Sequence, residues 1–480
     1  MRTTFGEYPE WGYPTGETRE GIRPYPNFTA IAGITNGFVR FYTRVRPMSD
    51  IARPQPSPDV KQPEQPRLLD VLGPGLITGA SDDDPSGIAT YSQAGAQFGV
   101  NMGWTLMLTF PLMCAIQQIS AQIGRVTGRG LGGNLRHYYP RWSLYSLVGL
   151  LLVANTINLG ADLGAMGAAL KLLVGGPLLL YVAVFGVLSV LLEVFMRYSR
   201  YVSVLKWLSL SLFAYVATLF AVQVNWPEVG YHLFVPEISL KSSYLTVVVA
   251  VFGTTISPYL FFWQAGAEVE EEKENPLAHP LKKSPNEAPR ELARIRFDTW
   301  IGMAFSNLIA LCIVLTTAAT LHTHGITDIQ TSSQAAEALR PIAGRFAFSI
   351  FALGIIGTGL LALPVLAGSA AYAVGEALHW PVGLARDPQR AKAFYGTIAG
   401  ATLVGGILNF TSLDPVKALF WSAVVNGIVA VPIMVMTMRM ATNRKVMGEF
   451  NVRGPLSLLG WLATMTMAMA AIGMLVSWIS

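Results

Sequence analysis

From residue 71 to its end the chain alternates long apolar runs with short polar segments. A membrane-crossing helix needs about 20 mostly apolar residues. Eleven segments qualify: 71–97, 101–123, 143–172, 175–195, 202–224, 244–268, 298–320, 345–375, 393–408, 416–439 and 455–478, of which the ninth is the shortest. Residues 1–20 are polar and hold no apolar stretch of the signal-peptide kind. The pattern predicts an all-α, multi-pass membrane protein with about 11 transmembrane helices.

The charged residues give this pattern an orientation. Lys and Arg in short loops mark the cytoplasmic face. Arg125, Arg129, Arg136 and Arg141 lie between the second and third segments, and Arg197, Arg200 and Lys206 follow the fourth. Lys273, Lys282, Lys283, Arg290, Arg294 and Arg296 follow the sixth, Arg386, Arg390 and Lys392 the eighth, and Arg444, Lys445 and Arg453 the tenth. The intervening loops hold little beyond Lys241 and Arg340. This alternation predicts a cytoplasmic N-terminus and an external C-terminus, in a bacterial inner (plasma) membrane. The loop at 266–297 mixes charges and is expected to be mobile. Residues 1–66 form a separate unit, a Pro- and Arg-rich cytoplasmic tail. Its tract RPQPSPDVKQPEQP (53–66) cannot hold a helix or strand, and FTAIAGITNGF (28–38) is too short to span but suits the membrane surface. Residues 67–480 are the transmembrane domain.

Composition narrows the class. Of 480 residues, 52% are apolar and 13% charged, whereas a soluble domain carries roughly twice that charge. This excludes a disordered chain, a disulfide scaffold and a nucleic-acid binder, and the net charge of +5 follows from the loops. Cys114 and Cys312 lie in apolar runs and read as buried free thiols.

Candidate chemistry lies where charge meets apolar sequence, because an ionisable residue at membrane depth is costly and points to function. The first segment contains GASDDDPSGIATY (79–91), three consecutive acids followed by Pro85, Ser86 and Gly87. Pro removes a backbone donor and Gly relaxes the chain, so the helix is expected to break there. A break frees carbonyl oxygens for a cation and is tolerated at depth only where it is buried in protein or lines a cavity. Asp84, beside the break, reads as a cation ligand. Asp82 and Asp83 read equally as pathway residues or as a helix cap at an aqueous end. Five segments later VFGTTISPYLFFWQAGAEVEEE (251–272) carries Pro258 after Thr255 and Ser257. Alone it would be an ordinary proline kink. Paired with the first break it points to an inverted-repeat transporter whose substrate sits between the two interruptions.

Fewer polar residues lie elsewhere at depth. Asn155, Asn158 and Asp162 share the third segment with Gly160 and Gly164, a small-residue pair suited to close helix packing. Asp162 is either a proton relay or a carboxylate bonded to a neighbouring helix. Asn426, on the tenth segment, is a candidate amide ligand, with an interhelical hydrogen bond as the alternative. Glu376 and Lys417 sit near segment ends, where snorkelling accounts for them. Gly128, Gly130 and Gly133 fit G-x-G-x-x-G but follow a membrane helix, not a strand, so a dinucleotide site is excluded. The six histidines fall in loops or at segment ends, and His322 and His324 read as solvated surface. No Walker motif, nucleophile–base pair or buried metal cluster is visible, so neither an ATP-driven pump nor an enzyme is indicated, and no cofactor is expected.

Three motifs in order resemble the NRAMP family (natural-resistance-associated macrophage proteins): LGPGLITGASDDDPSGIATYSQAGAQFG (72–99), QQISAQIGRVTGRGL (117–131) and PIMVMTMRMATNRKVMGEF (432–450). The resemblance runs from about Leu72 to Leu475. It implies secondary transport of divalent metals on a LeuT-type fold, with two inverted five-helix repeats plus one extra helix. Of the family's Asp-Pro-Gly-Asn signature, the metal-binding Asp falls on Asp84 and the Pro on Pro85, while the Gly falls on Ser86 and the metal-binding Asn on Gly87. The Met-Pro-His of the sixth helix falls on Ser257, Pro258 and Tyr259. A second family His falls on Gln264, and the acidic residue of the third helix falls approximately on Asp162.

These departures change the expected cargo. A thioether favours softer transition metals. Its replacement by a hydroxyl leaves an oxygen site built from Asp84, Ser257, Ser86, Thr255, Asn426 and carbonyls at the breaks, including that of Gly87. Such a site suits Mn²⁺ or Mg²⁺, and Mg²⁺ keeps several waters, for which the missing Asn leaves room. With both histidines gone, Asp84 and Asp162 are the candidates for carrying a coupled proton. Two other readings remain, a non-metal solute such as an amino acid, which Asp84 disfavours, and a membrane sensor or scaffold that has lost transport. Beyond the cargo ion and the lipid bilayer, no obligatory protein partner is indicated.

Overall fold

The computed structural model describes residues 74–195, 212–275, 277–411 and 414–479. The tail at 1–66, its boundary with the transmembrane domain, the basic residues at 197, 200 and 206, and the first ten residues of the fifth predicted segment lie outside these residues. The described residues form helices and no strand. In chain order the main ones are α1 (Pro74–Asp82), α2 (Pro85–Phe98), α3 (Gly103–Thr127), α4 (Leu131–Tyr138), α5 (Arg141–Val174), α6 (Leu178–Phe195), α7 (Phe213–Ala221), α8 (Trp226–Phe234), α9 (Ser242–Thr255), α10 (Pro258–Glu274), α11 (Ala288–Thr320), α12 (Ala347–Leu378), α13 (Lys392–Leu408), α14 (Pro415–Thr442) and α15 (Gly454–Ile479). Among the described residues eight helical stretches are long and apolar enough to cross a membrane, and α13 is shorter, as its sequence suggested.

The first predicted segment is α1 and α2 in series, and the sixth is α9 and α10 in series. Each is cut at a proline. Asp84 and Ser257 immediately precede Pro85 and Pro258, and both are extended, with φ −69°, ψ 170° and φ −75°, ψ 129°. A proline ring disfavours helical geometry in the residue before it, and its missing N–H costs nothing at a helix start. Yet Pro111, Pro364 and Pro432 lie inside the unbroken helices α3, α12 and α14. Proline alone therefore does not make the breaks.

Close backbone contacts fix which helices pack together. A Cβ built on Gly79 would lie 2.2 Å from the Gly302 carbonyl, so α1 rests directly on α11. Equivalent atoms on Gly253 and Gly124 would lie 2.1 Å from the Ala423 carbonyl of α14 and 2.4 Å from the Ala265 carbonyl of α10. Gly160 on α5 would meet the Gly405 carbonyl of α13 at 2.5 Å, as its small-residue pair suggested. Without a side chain at these points the backbones approach closely enough for van der Waals packing to hold helices that lipid would otherwise separate. Cys114 and Cys312 are free and buried.

The charged segment at 266–297 is ordered by an ion-pair network, contrary to the mobile loop expected of it. Helix α10 runs on to Glu274, and α11 begins at Ala288. Arg125, at the end of α3, reaches Glu291 at 3.3 Å, Glu272 at 3.6 Å and Glu287 at 3.7 Å, and donates to the His279 carbonyl at 2.9 Å. Arg294 pairs with the fully buried Glu268 at 2.6 Å and with Glu291 at 3.2 Å. Glu376 is not a snorkelling residue: its carboxylate accepts from the Gly130 and Gly133 amides at 2.8 and 2.9 Å. It thus neutralises the N-terminus of α4, and the glycine motif holds a carboxylate of its own chain. Lys417 is exposed, in keeping with snorkelling.

Two stability outcomes follow from this packing. Gly79→Ala forces α1 off α11 and is expected to destabilise by about 1–3 kcal/mol, read as a lower unfolding temperature of the purified protein. Gly396→Ala, where an added Cβ meets nothing within 4 Å, is expected to leave it unchanged. Arg294→Met leaves the Glu268 carboxylate buried and unpaired, at an expected cost of about 3–5 kcal/mol. Arg294→Met combined with Glu268→Gln should recover much of that loss in the same unfolding measurement.

Candidate metal site

The break between α1 and α2 is organised around Asp84. As N-cap of α2, its Oδ1 accepts from the Gly87 amide and the Ser86 hydroxyl, both at 2.7 Å. Its Oδ2 accepts from the Asn158 side-chain amide of α5 at 3.2 Å and from the Tyr259 hydroxyl of α10 at 3.3 Å. The Tyr259 hydroxyl also lies 3.2 Å from the Ser81 carbonyl, so its one proton is shared between acceptors on both sides of the first break. Asp84 is buried to 1% exposure. The predicted ligand is therefore where two broken helices and the third segment meet.

Three further carboxylates surround it. Asp82 and Asp83 are each 1% exposed, which rules out the aqueous helix cap. The Ser306 hydroxyl of α11 lies 2.7 Å from Asp82 Oδ2 and 3.2 Å from Asp83 Oδ1. One hydroxyl proton cannot serve both, and the other oxygen of each acid has no hydrogen-bond partner. Asp162 is fully buried on α5; it interacts with the Ser86 backbone amide and the Asp84 carboxylate, yet neither of its oxygens reaches hydrogen-bond geometry. Among the described residues none of these four acids has an ion-pair partner.

The remaining predicted ligands are placed less directly. Ser86 is at the site through its bond to Asp84. Ser257 caps the second break, but its hydroxyl points back to the Gly253 and Thr254 carbonyls at 2.8 Å each. Thr255 bonds the Val251 carbonyl of its own helix at 2.9 Å. Asn426 is buried with its side-chain oxygen unpartnered, and no hydrogen bond joins it to Asp84. Gly87 does not leave room for water in the way its missing side chain suggested. A Cβ there would lie 3.2 Å from both the Asp82 carbonyl and Thr254 Oγ1 and 3.3 Å from the Tyr91 ring, so neighbours have closed over the space.

Chemically, this is a buried acidic centre with oxygen and amide groups around it. No three His, Cys, Asp or Glu side chains converge as a metal cluster among the described residues, so ligands beyond Asp84 must be hydroxyls, amides, carbonyls or water. Oxygen donors of this kind suit hard cations. Sequence reasoning missed two contributors. Tyr259 entered only as the position of a lost histidine, and Ser306 carried no signal because one serine in an apolar run is unremarkable until its neighbours are known. His322 and His324 are exposed, as expected, and bond the Ala96 and Thr320 carbonyls.

Comparison with known proteins identifies the fold and the family. The chain resembles the manganese transporter of Eremococcus coleocola, with a TM-score of 0.68 and 17% identity over 87% of this chain and 88% of that one. It also resembles MhsT, solved with L-phenylalanine (TM-score 0.57, 11% identity, 84% and 97% covered), and Mhp1, a nucleobase-cation-symport-1 transporter (TM-score 0.51, 14% identity, 85% and 92% covered). At these identities the likeness is one of fold, the LeuT-type transporter fold. The family profile described as natural resistance-associated macrophage protein-like matches residues 75–477, nearly the whole described body. A multi-pass helical protein with that match is a membrane transporter and not an enzyme, and the chain belongs to the Nramp family of divalent-metal transporters.

Proposed function

We propose that this protein imports a hard divalent cation, Mn²⁺ or Mg²⁺, by alternating access, with Asp84 as the central ligand between the broken helices. The observation that carries this reading is the buried acidic centre: Asp82, Asp83, Asp84 and Asp162 are each at most 1% exposed and have no ion-pair partner among the described residues. Isolated buried carboxylates are too costly to remain charged alone, and a divalent cargo supplies the missing charge. Ser257 stands where the family has a thioether, which removes a preference for softer metals. Ser86, Ser257, Thr255, Asn426 and the carbonyl of Gly87 are the further oxygen candidates, joined by water. Asp84 and Asp162 are the candidates for a coupled proton.

The cation would enter from outside, settle at Asp84, and leave to the cytoplasm as the broken helices rock against the rest. Residues 67–480 form the transporting domain in a bacterial inner membrane, with 1–66 a cytoplasmic tail and the C-terminus external. An amino-acid cargo is disfavoured by Asp84, because an anion beside the break repels a substrate carboxylate.

The test is flux into proteoliposomes carrying the purified protein. Mn²⁺ or Mg²⁺ is expected to enter without preference for Cd²⁺, and Asp84→Ala is expected to reduce entry to the level of protein-free vesicles. Acidification of the lumen together with metal entry would support proton coupling. Uptake that survives Asp84→Ala would reject the site, and strong preference for Cd²⁺ would reject the hard-ion argument.

A further inference from the structure

We infer that Asn158, on α5, is a metal ligand, supplying through its side-chain oxygen the amide donor that the break itself lacks. This rests on the reading of Asp84 as the cation site. Asn158 is fully buried. Its Nδ2 donates to Asp84 Oδ2 at 3.2 Å, while its Oδ1 has no hydrogen-bond partner. An unsatisfied buried amide oxygen costs about 1–3 kcal/mol, so its retention beside the central acid calls for a use.

The metrics supply one. The two oxygens of Asp84 each have two donors within reach, counting the hydroxyl that Tyr259 shares with the Ser81 carbonyl, which accounts for the roughly four acceptor positions of a carboxylate. A cation must displace one donor. The Gly87 amide is fixed in the first turn of α2, and Asp84 Oδ1 is held at 2.7 Å by both Gly87 and Ser86. The looser side is Oδ2, where the contacts are 3.2 and 3.3 Å. A half-turn of the Asn158 amide exchanges its nitrogen for its oxygen with no backbone movement. Two adjacent ligands of an octahedral ion with bonds near 2.1 Å are separated by about 3 Å. The Asn158 amide terminus already stands at that separation from Asp84 Oδ2. With the site empty the amide donates to the carboxylate. With a cation present both oxygens face the ion.

Asp162 follows Asn158 by four residues on the same helical face. A cation held by Asp84 and Asn158 would therefore also lie in the field of Asp162, whose oxygens make no hydrogen bond of full geometry. The third segment then contributes to ion binding directly and not only as a wall.

A donor and a ligand respond oppositely to Asn158→Asp once that carboxyl is ionised, as a bound divalent cation makes it, because a carboxylate accepts but cannot donate. The experiment measures Mn²⁺ binding to the purified full-length protein by calorimetry, for wild type, Asn158→Asp, Asn158→Leu, Asn158→Ser and Asp84→Ala. Asn158→Leu is expected to weaken Mn²⁺ binding by at least about tenfold, and Asn158→Asp to equal or exceed wild type. Equal losses in Asn158→Asp and Asn158→Leu would overturn the proposal in favour of a donor that only positions Asp84. Wild-type affinity in Asn158→Leu would overturn it outright. Should Asn158→Leu fail to fold, Asn158→Ser replaces it: Asn158→Asp binding tighter than Asn158→Ser supports the ligand, and the reverse order rejects it. Undiminished binding in Asp84→Ala would reject the underlying site, whereas its loss there with Asn158→Leu unaffected would reject Asn158 alone.

Discussion

Buried acid without a protein counter-charge is the condition on which this structure turns. Asp82, Asp83, Asp84 and Asp162 lie at the centre of a helical membrane body, and the arginines that could answer them are engaged elsewhere, with the glutamates of α10 and α11. Desolvated carboxylates are stabilised by hydrogen bonds or by cations. Here the hydrogen bonds are unevenly shared. Asp84 has four donors, Asp82 and Asp83 divide one serine, and Asp162 has none of full geometry. The imbalance makes Asp84 the best-satisfied of the four acids and leaves its neighbours short of donors.

The breaks in the helices serve the same centre. Extended backbone at Asp84 and Ser257 turns the ends of four half-helices toward one place. Non-helical chain survives at membrane depth only when protein covers it, and here α5, α11 and α14 provide that cover. The glycine contacts make the cover tight: α1 lies on α11, α9 on α14, and α5 on α13 with backbone against backbone. The ion-pair network around Arg125 and Arg294 then ties α3, α10 and α11 together at one end. Local irregularity at the site is thus held by regular, close packing around it.

Much of this was legible in the chain alone. Apolar runs of membrane-crossing length, the acids beside Pro85 and the second proline five segments later determined the class of fold and located Asp84, because hydropathy and proline chemistry act locally. The same local logic misjudged 266–297, where charge density suggested a mobile loop but opposite charges on three helices pair instead. It also misjudged Glu376, which caps a helix more than two hundred residues away in sequence, and Gly87, whose missing side chain was filled by Tyr91 and Thr254.

The breaks at Pro85 and Pro258 were expected from the chain; what holds them open was decided by tertiary structure. Those two prolines break their helices, while Pro111, Pro364 and Pro432 sit in continuous helices. A mid-helix proline removes one hydrogen bond wherever it stands, and whether the chain opens there depends on what can satisfy the freed groups. At Pro85 the Asp84 carboxylate takes the Gly87 amide, and the Tyr259 hydroxyl, from a segment far away in sequence, reaches the Ser81 carbonyl. The sequence by itself determined that a membrane protein would carry buried acid at an interrupted helix. Only the folded chain determined which amides and hydroxyls surround that acid, because such contacts are set by packing between helices and leave no periodic trace along the chain.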